Sequence, residues 1–566
     1  MIVYRDHEED AATRELVDAC RARTRALAGG GGDHDEVTGL LIEVGLLEAG
    51  VADALQPERD GRDIAVERLR AASLAAGRLF HRSATGAAAV DRAAVARALA
   101  EALDSVAALP LPASVRLRTP EGYAYYALYP ETYLEAARRF RRALLPRRAV
   151  CVGLRSIGTS LSAVVAATLE AEGCAVESLT LRPRGHPFDR APVPTGELRA
   201  WLGARAGSFF LLIDEGPGLS GSSFCGTAAL LGGLGVPIER IVLFPSHAPD
   251  PAAFRSQEAR ERWPWYPMFH VAFEELVQGV AAWPPGSPEL SAGAWRSLFY
   301  RDGVVQPAVL GAQERRKYLS PGPILHKFAG LGRYGAQARE RANRLAAVGF
   351  VPAVQGLQHG FTQQSFVAGR PLGRGDGEGR FLRFAARYLG HLGRTFATGE
   401  PARPESLLPM LVANATEALG EGAVPPGFER HAGSLPPAPA VALDGRVLPH
   451  EWLRTGHGYL KTDATDHHRD HGYPGSADIA WDVAGVIAEF DLTEAAAGEF
   501  VAAASEALGD PWLPRRLLFH AAAYLAYRTG HAAFAAAALG AAPDGLRMRR
   551  ARDRYRTLLA SSLARL

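Results

Sequence analysis

The chain has 566 residues, more than one ordinary core accommodates, so roughly two or three domains are expected. Hydrophobic residues at 48% and charged residues at 22% exclude a disordered or collagen-like chain. A net charge of +2 excludes a global field directed at nucleic acid or a membrane surface.

Cys20, Cys151, Cys174 and Cys225 lie far apart with no C-x-x-C pair, which opposes a disulfide framework or a zinc site and suits a reducing, cytoplasmic location. The opening "MIVYRDHEEDAATREL" is polar and acidic, unlike a secretory signal. Residues 1 to 112 read as a helical N-terminal segment without strand runs, broken by "GGGG" at 29–32 and closed by "LPLPAS".

From residue 113 to 290 the rhythm changes to strand and helix. "SVRLRT" and "YAYYALY" read as strands and "ETYLEAARRFRRAL" as a helix; the tyrosine run is more often core than a stacking platform. "AVCVGL", "AVESLTLR", "SFFLLID" and "RIVLFPSH" are short apolar strands alternating with helices. The fold class is therefore α/β with a parallel sheet, whose ligands sit beyond the strands' carboxyl ends.

The loop after the third of these strands, "LLIDEGPGLSGSS", contains a G-x-G-x-x-G at Gly216, Gly218 and Gly221. A dinucleotide site also needs an acid at the end of the next strand, where this chain has Pro245, Ser246 and His247. A P-loop needs a lysine after the glycines, and none follows. Two carboxylates, Asp214 and Glu215, instead suit ribose hydroxyls or a magnesium-bound sugar phosphate. The helix start at Gly218, Ser220, Gly221, Ser222 and Ser223 suits a terminal phosphate.

Apolar strand, acid pair and Ser/Gly-rich helix start together resemble the phosphoribosyl-pyrophosphate (PRPP) loop of type I phosphoribosyltransferases. The resemblance covers about residues 115 to 250 and implies a second, pyrophosphate-holding loop. "VCVGLRSIGTS" supplies Arg155, Ser156, Gly158, Thr159 and Ser160 for it. It further implies that magnesium and Arg155 neutralise the departing pyrophosphate while Asp214 and Glu215 hold the ribose. The Asp-Glu-Gly-Pro order and the serines depart from the family's Thr-rich pattern. "TLRPRGHPFDR" would face the same crevice with Arg182, Arg184, His186 and Arg190, for a base or pyrophosphate.

Residues 291–566 form a third region. "ILHKFAGLG" places Lys327 in a strand, a helix with Glu340 follows, and "SFVAGRPL" reads as a strand leading to a hinge. This resembles the N-terminal lobe of aminoglycoside phosphotransferase-like and choline-kinase-like small-molecule kinases, an α+β fold. There a strand lysine pairs with a helix glutamate and holds ATP phosphates. No Gly-rich G-x-G-x-x-G loop precedes Lys327.

"GHGYLKTDATDHHRDHGYPGSADIAWDVAG" (456–485) is matched to the His-Gly-Asp-x-x-x-x-Asn catalytic loop. Tyr459 stands at the catalytic Asp position and His468 near the Asn. Asp463 is then the catalytic candidate, Asp470 and Asp478 the magnesium ligands, and Asp482 a structural Asp. Without the family, Asp463, Asp466, His467, His468, Asp470 and His471 form a possible metal cluster. "LLFHAAAYLAYRTGHAAFAAAALGAA", interrupted by His520, Arg528 and His531, reads as a buried helix rather than a membrane span.

The expectation is a cytoplasmic, bifunctional enzyme of nucleotide-like metabolism. It would use Mg2+ with PRPP and ATP as co-substrates for phosphoribosyl transfer and small-molecule phosphorylation, without nucleic acid or membrane partners. The alternative is a PRPP-sensing regulator with catalytically degenerate domains.

Overall fold

The computed structural model describes residues 1–3, 8–280, 283–301, 305–465, 467–470, 472 and 474–565. Asp466 and His471 of the expected acid/His cluster lie outside them.

Strand β1 (Glu8–Ala12) pairs antiparallel with β2 (Ser114–Arg118), enclosing helices α1 (Thr13–Ala28), α2 (His34–Leu55), α3 (Ile64–Ala84) and α4 (Ala89–Ala107). The N-terminal region was expected to hold no strand. "EEDAA" has poor strand propensity, but opposite charges across the ribbon support it: Arg118 meets Glu8 at 3.0 Å and Arg116 meets Asp10 at 3.3 Å. A capping box joins Asp33 and Glu36 at the start of α2. That helix is apolar nearly all round, as a helix covered on every side must be. It packs against α3, β2 and a later helix at Gly158–Ala171.

The segment expected as strand "YAYYALY" is a helical turn, α5 (Glu121–Ala124), and a loop, followed by helix α6 (Pro130–Leu144). Pro120 precedes the turn, Pro130 follows the loop, and Ala127 adopts φ 52°, which no strand tolerates.

Then come β3 (Arg148–Leu154), α7 (Gly158–Ala171), β4 (Ala175–Leu181), α8 (Gly196–Gly203), β5 (Phe209–Ile213), α9 (Ser222–Gly233) and β6 (Ile241–Phe244). The four strands form a parallel sheet in the order β4-β3-β5-β6, in line with the expected rhythm. Residues 149–154 of β3 are buried throughout, hence the unbroken apolar run. The chain leaves β3 for β4 on one side and returns to β5 on the other. The crevice between the carboxyl ends of β3 and β5 is therefore where such a sheet exposes backbone to a ligand.

Helices α10 (Gln257–Arg262), α11 (Phe273–Val280) and α12 (Arg296–Phe299) lead to a second, antiparallel sheet. It comprises β7 (Lys317–Ser320), β8 (Ile324–Phe328), β9 (Val354–Gln358) and β10 (Phe361–Ser365) in the order β7-β8-β10-β9, with helix α13 (Arg333–Ala347) between β8 and β9. Phe328, Leu331, Tyr334 and Phe361 belong to the same hydrophobic core as α1 to α4 and one face of the parallel sheet.

The remaining chain is β11 (Arg370–Pro371), α14 (Gly379–Thr395), β12 (Ala397–Pro401), α15 (Leu408–Leu419), α16 (Phe428–Gly433), β13 (Pro439–Val441), β14 (Trp452–Thr455), β15 (Gly458–Lys461), α17 (Ala480–Glu489), α18 (Glu494–Leu508), α19 (Leu513–Leu539) and α20 (Pro543–Leu563). It has its own core around Phe381, Tyr388, Trp452, Trp481 and Tyr524. The apolar stretch forms α19, packed on α17 and α20. Among the described residues no helix is long and apolar enough to cross a membrane.

Candidate functional site

Two polar sites emerge. The first is a cavity of about 480 Å³ at the carboxyl ends of β3, β4 and β5, lined by Arg118, Arg155, Arg182, Arg190, Asp214 and Ser223 among others. Arg182, Arg184 and Arg190 of "TLRPRGHPFDR" all border it, whereas His186 is exposed and accepts from Phe188 N–H at 3.3 Å in its own turn. The expected place of His186 in the crevice is thus corrected.

Arg155 does not offer its charge to a ligand as expected. Its side chain is wholly buried between Asp53, at 3.2 Å, and Asp60. Asp60 also accepts from Arg184 at 2.8 Å and from Arg182 N–H at 3.2 Å, and Arg182 itself pairs with Asp53. A buried guanidinium needs such partners.

The expected pyrophosphate loop is likewise closed. An added Cβ at Gly45 of α2 would lie 2.8 Å from Ser160, and one at Gly77 of α3 would lie 2.4 Å from the Ala163 carbonyl. The two helices therefore press directly onto the start of α7. Thr159 is fully buried, its carbonyl accepting from Arg70 at 3.1 Å. Gly158 packs on the Ile213 carbonyl, where a Cβ would come to 2.3 Å. The Ser156 carbonyl accepts from Thr159 N–H at 3.2 Å, and Ser160 pairs with the Tyr123 hydroxyl at 2.9 Å.

The Asp214 carboxylate accepts the Gly158 and Glu215 N–H groups, so it caps α7 where a phosphate was expected. Burial raises its pKa to about 6. Burial, with Glu121 and Asp214 nearby, pushes Glu215 to about 8, and the Gly122 N–H supports it. At the neighbouring loop, Gly221 takes φ 66° ahead of α9 and its N–H bonds the Gly218 carbonyl at 3.2 Å. Ser220 and Ser222 bond each other at 3.0 Å, Ser222 donates to the Pro187 carbonyl at 3.0 Å, and Ser223 reaches the cavity.

The second site lies where the antiparallel sheet meets the helical region. Lys327, buried on β8, pairs with Asp463 at 2.5 Å. Its expected partner Glu340 is instead exposed on α13, bordering a separate cavity of about 340 Å³ that also takes His468. Asp463 further meets Arg446 at 3.4 Å and His467 at 3.5 Å. Glu451 accepts from Arg446 at 2.7 Å and Lys461 at 3.0 Å. Burial opposes ionisation of Asp463, but Lys327 and His467 hold its carboxyl well below the usual range. Burial lowers the basicity of His467, and Asp463 more than restores it, to about 9.

Ligand atoms of Glu451, Asp463 and His467 lie within 4.8 Å of one another. The two carboxylates fit a hard divalent cation.

Asp470 pairs with Arg315 at 3.3 Å on the wall of the adjoining chamber. Asp478 is elsewhere: it caps α17 through Ala480 N–H at 2.9 Å and pairs with Arg516 at 2.5 Å. Despite its burial, His520 and Arg516 hold it at about 2. The expected metal role of Asp478 is replaced by a structural ion pair. Asp482 accepts the Asp444 and Gly445 N–H groups, each at 2.8 Å, and so orders the chain before β14.

His457-Gly458, matched from sequence to a catalytic loop, instead forms the exposed turn between β14 and β15. The loop ordered by Asp482 is Asp444-Gly445-Arg446-Val447-Leu448-Pro449-His450-Glu451. Its glycine and five-residue interval from Arg446 to Glu451 reproduce the spacing of the catalytic loop, with Asp444, Arg446 and Glu451 in place of His, Asp and Asn. Arg446 and Glu451 were missed because those defining residue types are changed, and Lys461 because it lies outside the loop, on β15. The surviving signal was that spacing followed by a hairpin and an Asp.

Two spaces meet at this cluster. A slot of about 140 Å³ runs between Lys327, Gln364, Phe366, Val367 and Leu453, and a chamber of about 500 Å³ opens beyond Asp463, Asp470 and Arg528. Arg446 and Asp463 border both.

No protein-family model matches this chain, and no curated protein sequence does. Among solved structures it is similar to a choline/ethanolamine kinase family protein from Mesorhizobium loti, at 18% identity and TM-score 0.32, over 51% of this chain and 97% of that one. It is also similar to a choline kinase from Streptococcus pneumoniae, at 16% identity and TM-score 0.33, over 47% and 96%. A macrolide 2'-phosphotransferase from Brachybacterium faecium aligns at 16% identity and TM-score 0.30, over 46% and 96%.

Proposed function

We propose that the C-terminal region is an ATP-dependent small-molecule phosphotransferase. The observation that carries this reading is the meeting of Lys327, Asp463 and Glu451, brought from β8 and both sides of the β14–β15 hairpin. Lys327 has the charge and burial to hold phosphate oxygens, and the slot beside Phe366, Val367 and Leu453 suits a nucleobase. Glu451 and Asp463 would hold Mg2+, which supplies neutralising charge on the phosphates when bound. Lys327 positions the transferring end, and Arg446 adds a fixed cation beside it.

The test is isothermal titration with ATP and Mg2+ on the full chain. Binding lost in Lys327→Met and Asp463→Asn supports the site; unchanged affinity in both sinks it.

A second reading concerns the first cavity, whose arginine lining favours a phosphorylated sugar of the PRPP class. With Arg155 locked between carboxylates and the start of α7 covered, binding without transfer fits this cavity better than catalysis. The changes Arg118→Gln and Arg190→Gln, both exposed on the cavity wall, should abolish PRPP binding. Pyrophosphate release from PRPP by the unaltered chain would reinstate the transferase.

A further inference from the structure

We propose that the acceptor phosphorylated at the second site is itself an anion, a phosphate or carboxylate, and is held by the Arg446 side of the chamber. This rests on the phosphotransferase reading. An alcohol acceptor must lose a proton as it attacks, and kinases place an Asp five residues before the metal-binding loop residue to take it. Here the residue five before Glu451 is Arg446, a group that cannot accept a proton.

No other carboxylate described in the chamber wall replaces that base. Asp463 faces Lys327, Asp470 faces Arg315, Glu314 is bonded by Trp295 and Lys317, and Glu489 is bonded by Tyr524 and Tyr555. His450, at the same junction, lies flat against the Trp295 ring, 13° from parallel.

The wall is also of the wrong sign for a cationic substrate. It carries eight Arg and Lys side chains against four carboxylates, and cations remain in excess after Glu451, Asp544 and Asp491, which pair with Arg446, Arg547 and Arg554. Guanidinium groups match the geometry of phosphate and carboxylate oxygens.

An anionic acceptor removes the need for a base. Its oxygen lone pair forms a bond to the γ-phosphorus of ATP as the bond from that phosphorus to the β-γ bridging oxygen breaks. ADP leaves with the electron pair, no proton is transferred, and no oxidant or reductant takes part. The product is an acyl phosphate or a phosphoanhydride.

The test uses the full chain with three measurements. Calorimetric titration with inorganic phosphate reads the chamber. ATP titration in the presence of Mg2+ reads the nucleotide site. Phosphorus NMR with ATP then follows benzoate, phenylphosphonate and inorganic phosphate against glucose and choline as acceptors. Expected are phosphate binding weakened about tenfold or more in Arg446→Gln, and weakened also in the exposed Arg550→Gln, which leaves the fold intact. Expected too is ADP release that requires an anionic probe.

Phosphorylation of glucose or choline in preference to every anion overturns the inference while the nucleotide reading stands. So does ADP release that rises through neutral pH and loses that rise in His450→Gln. ATP binding without ADP release for any anionic probe also overturns it, leaving a nucleotide-binding site. Failure of ATP to bind overturns both readings.

Discussion

The two polar sites differ in how their charges are used. At the parallel sheet, a compact motif lies in one stretch, yet Arg155, Asp53 and Asp60 satisfy one another and Asp214 caps its neighbour helix. At the second site the groups come from positions 327, 446, 451 and 463, and they converge on a junction between two open spaces. A tidy local motif reports backbone geometry, whereas availability for a ligand depends on which distant side chains arrive first.

The sharpest break of this contrast is at Asp463 and Lys327. Asp463→Asn and Lys327→Met should each lower ATP turnover by about 10²–10³, read as ADP release at one fixed ATP concentration, while Asp214→Asn leaves that rate unaltered. Next in size, Asp60→Asn should destabilise the chain by ~3–5 kcal/mol, because it strips a partner from buried Arg155. Denaturant titration would show it, and Asp60→Leu with Arg155→Met should regain part of the loss.

A smaller effect follows from Glu215, whose carboxyl is raised in the fold from 4.5 to about 8. The folded state binds the proton more tightly than the unfolded chain, so stability is fullest below the ordinary carboxylate range. It is lost as pH rises toward about 8. Urea midpoints across that range should fall in the unaltered chain and stay flatter in Glu215→Gln. Least of all, Glu340→Ala should change stability by no more than about 0.5 kcal/mol and leave ADP release unaltered, since Glu340 is exposed on α13. A large loss there would restore the lysine–glutamate pairing expected from sequence.

Much of the architecture was legible. Buried parallel strands such as β3 and β5 announce themselves as apolar runs, and a helix between β8 and β9 follows from its periodicity. Strand β1 was not legible, because its stability lies in pairing with residues over a hundred positions away. The covering of α7 was equally hidden: Gly45 and Gly77 permit close approach, but glycines do not say what approaches. The pairing of Lys327 with Asp463 could be asked of the sequence but not answered from it, since it depends on how the hairpin returns.

Tyr123, Tyr129 and the facing Phe328, Leu331 and Phe361 share one core, and Leu331 N–H donates to the Tyr123 carbonyl at 2.9 Å. A fragment ending at residue 290 would therefore expose a wet aromatic scar, and the complementary fragment would expose its mirror. Co-expressed halves should find each other again, whereas either half made alone should aggregate.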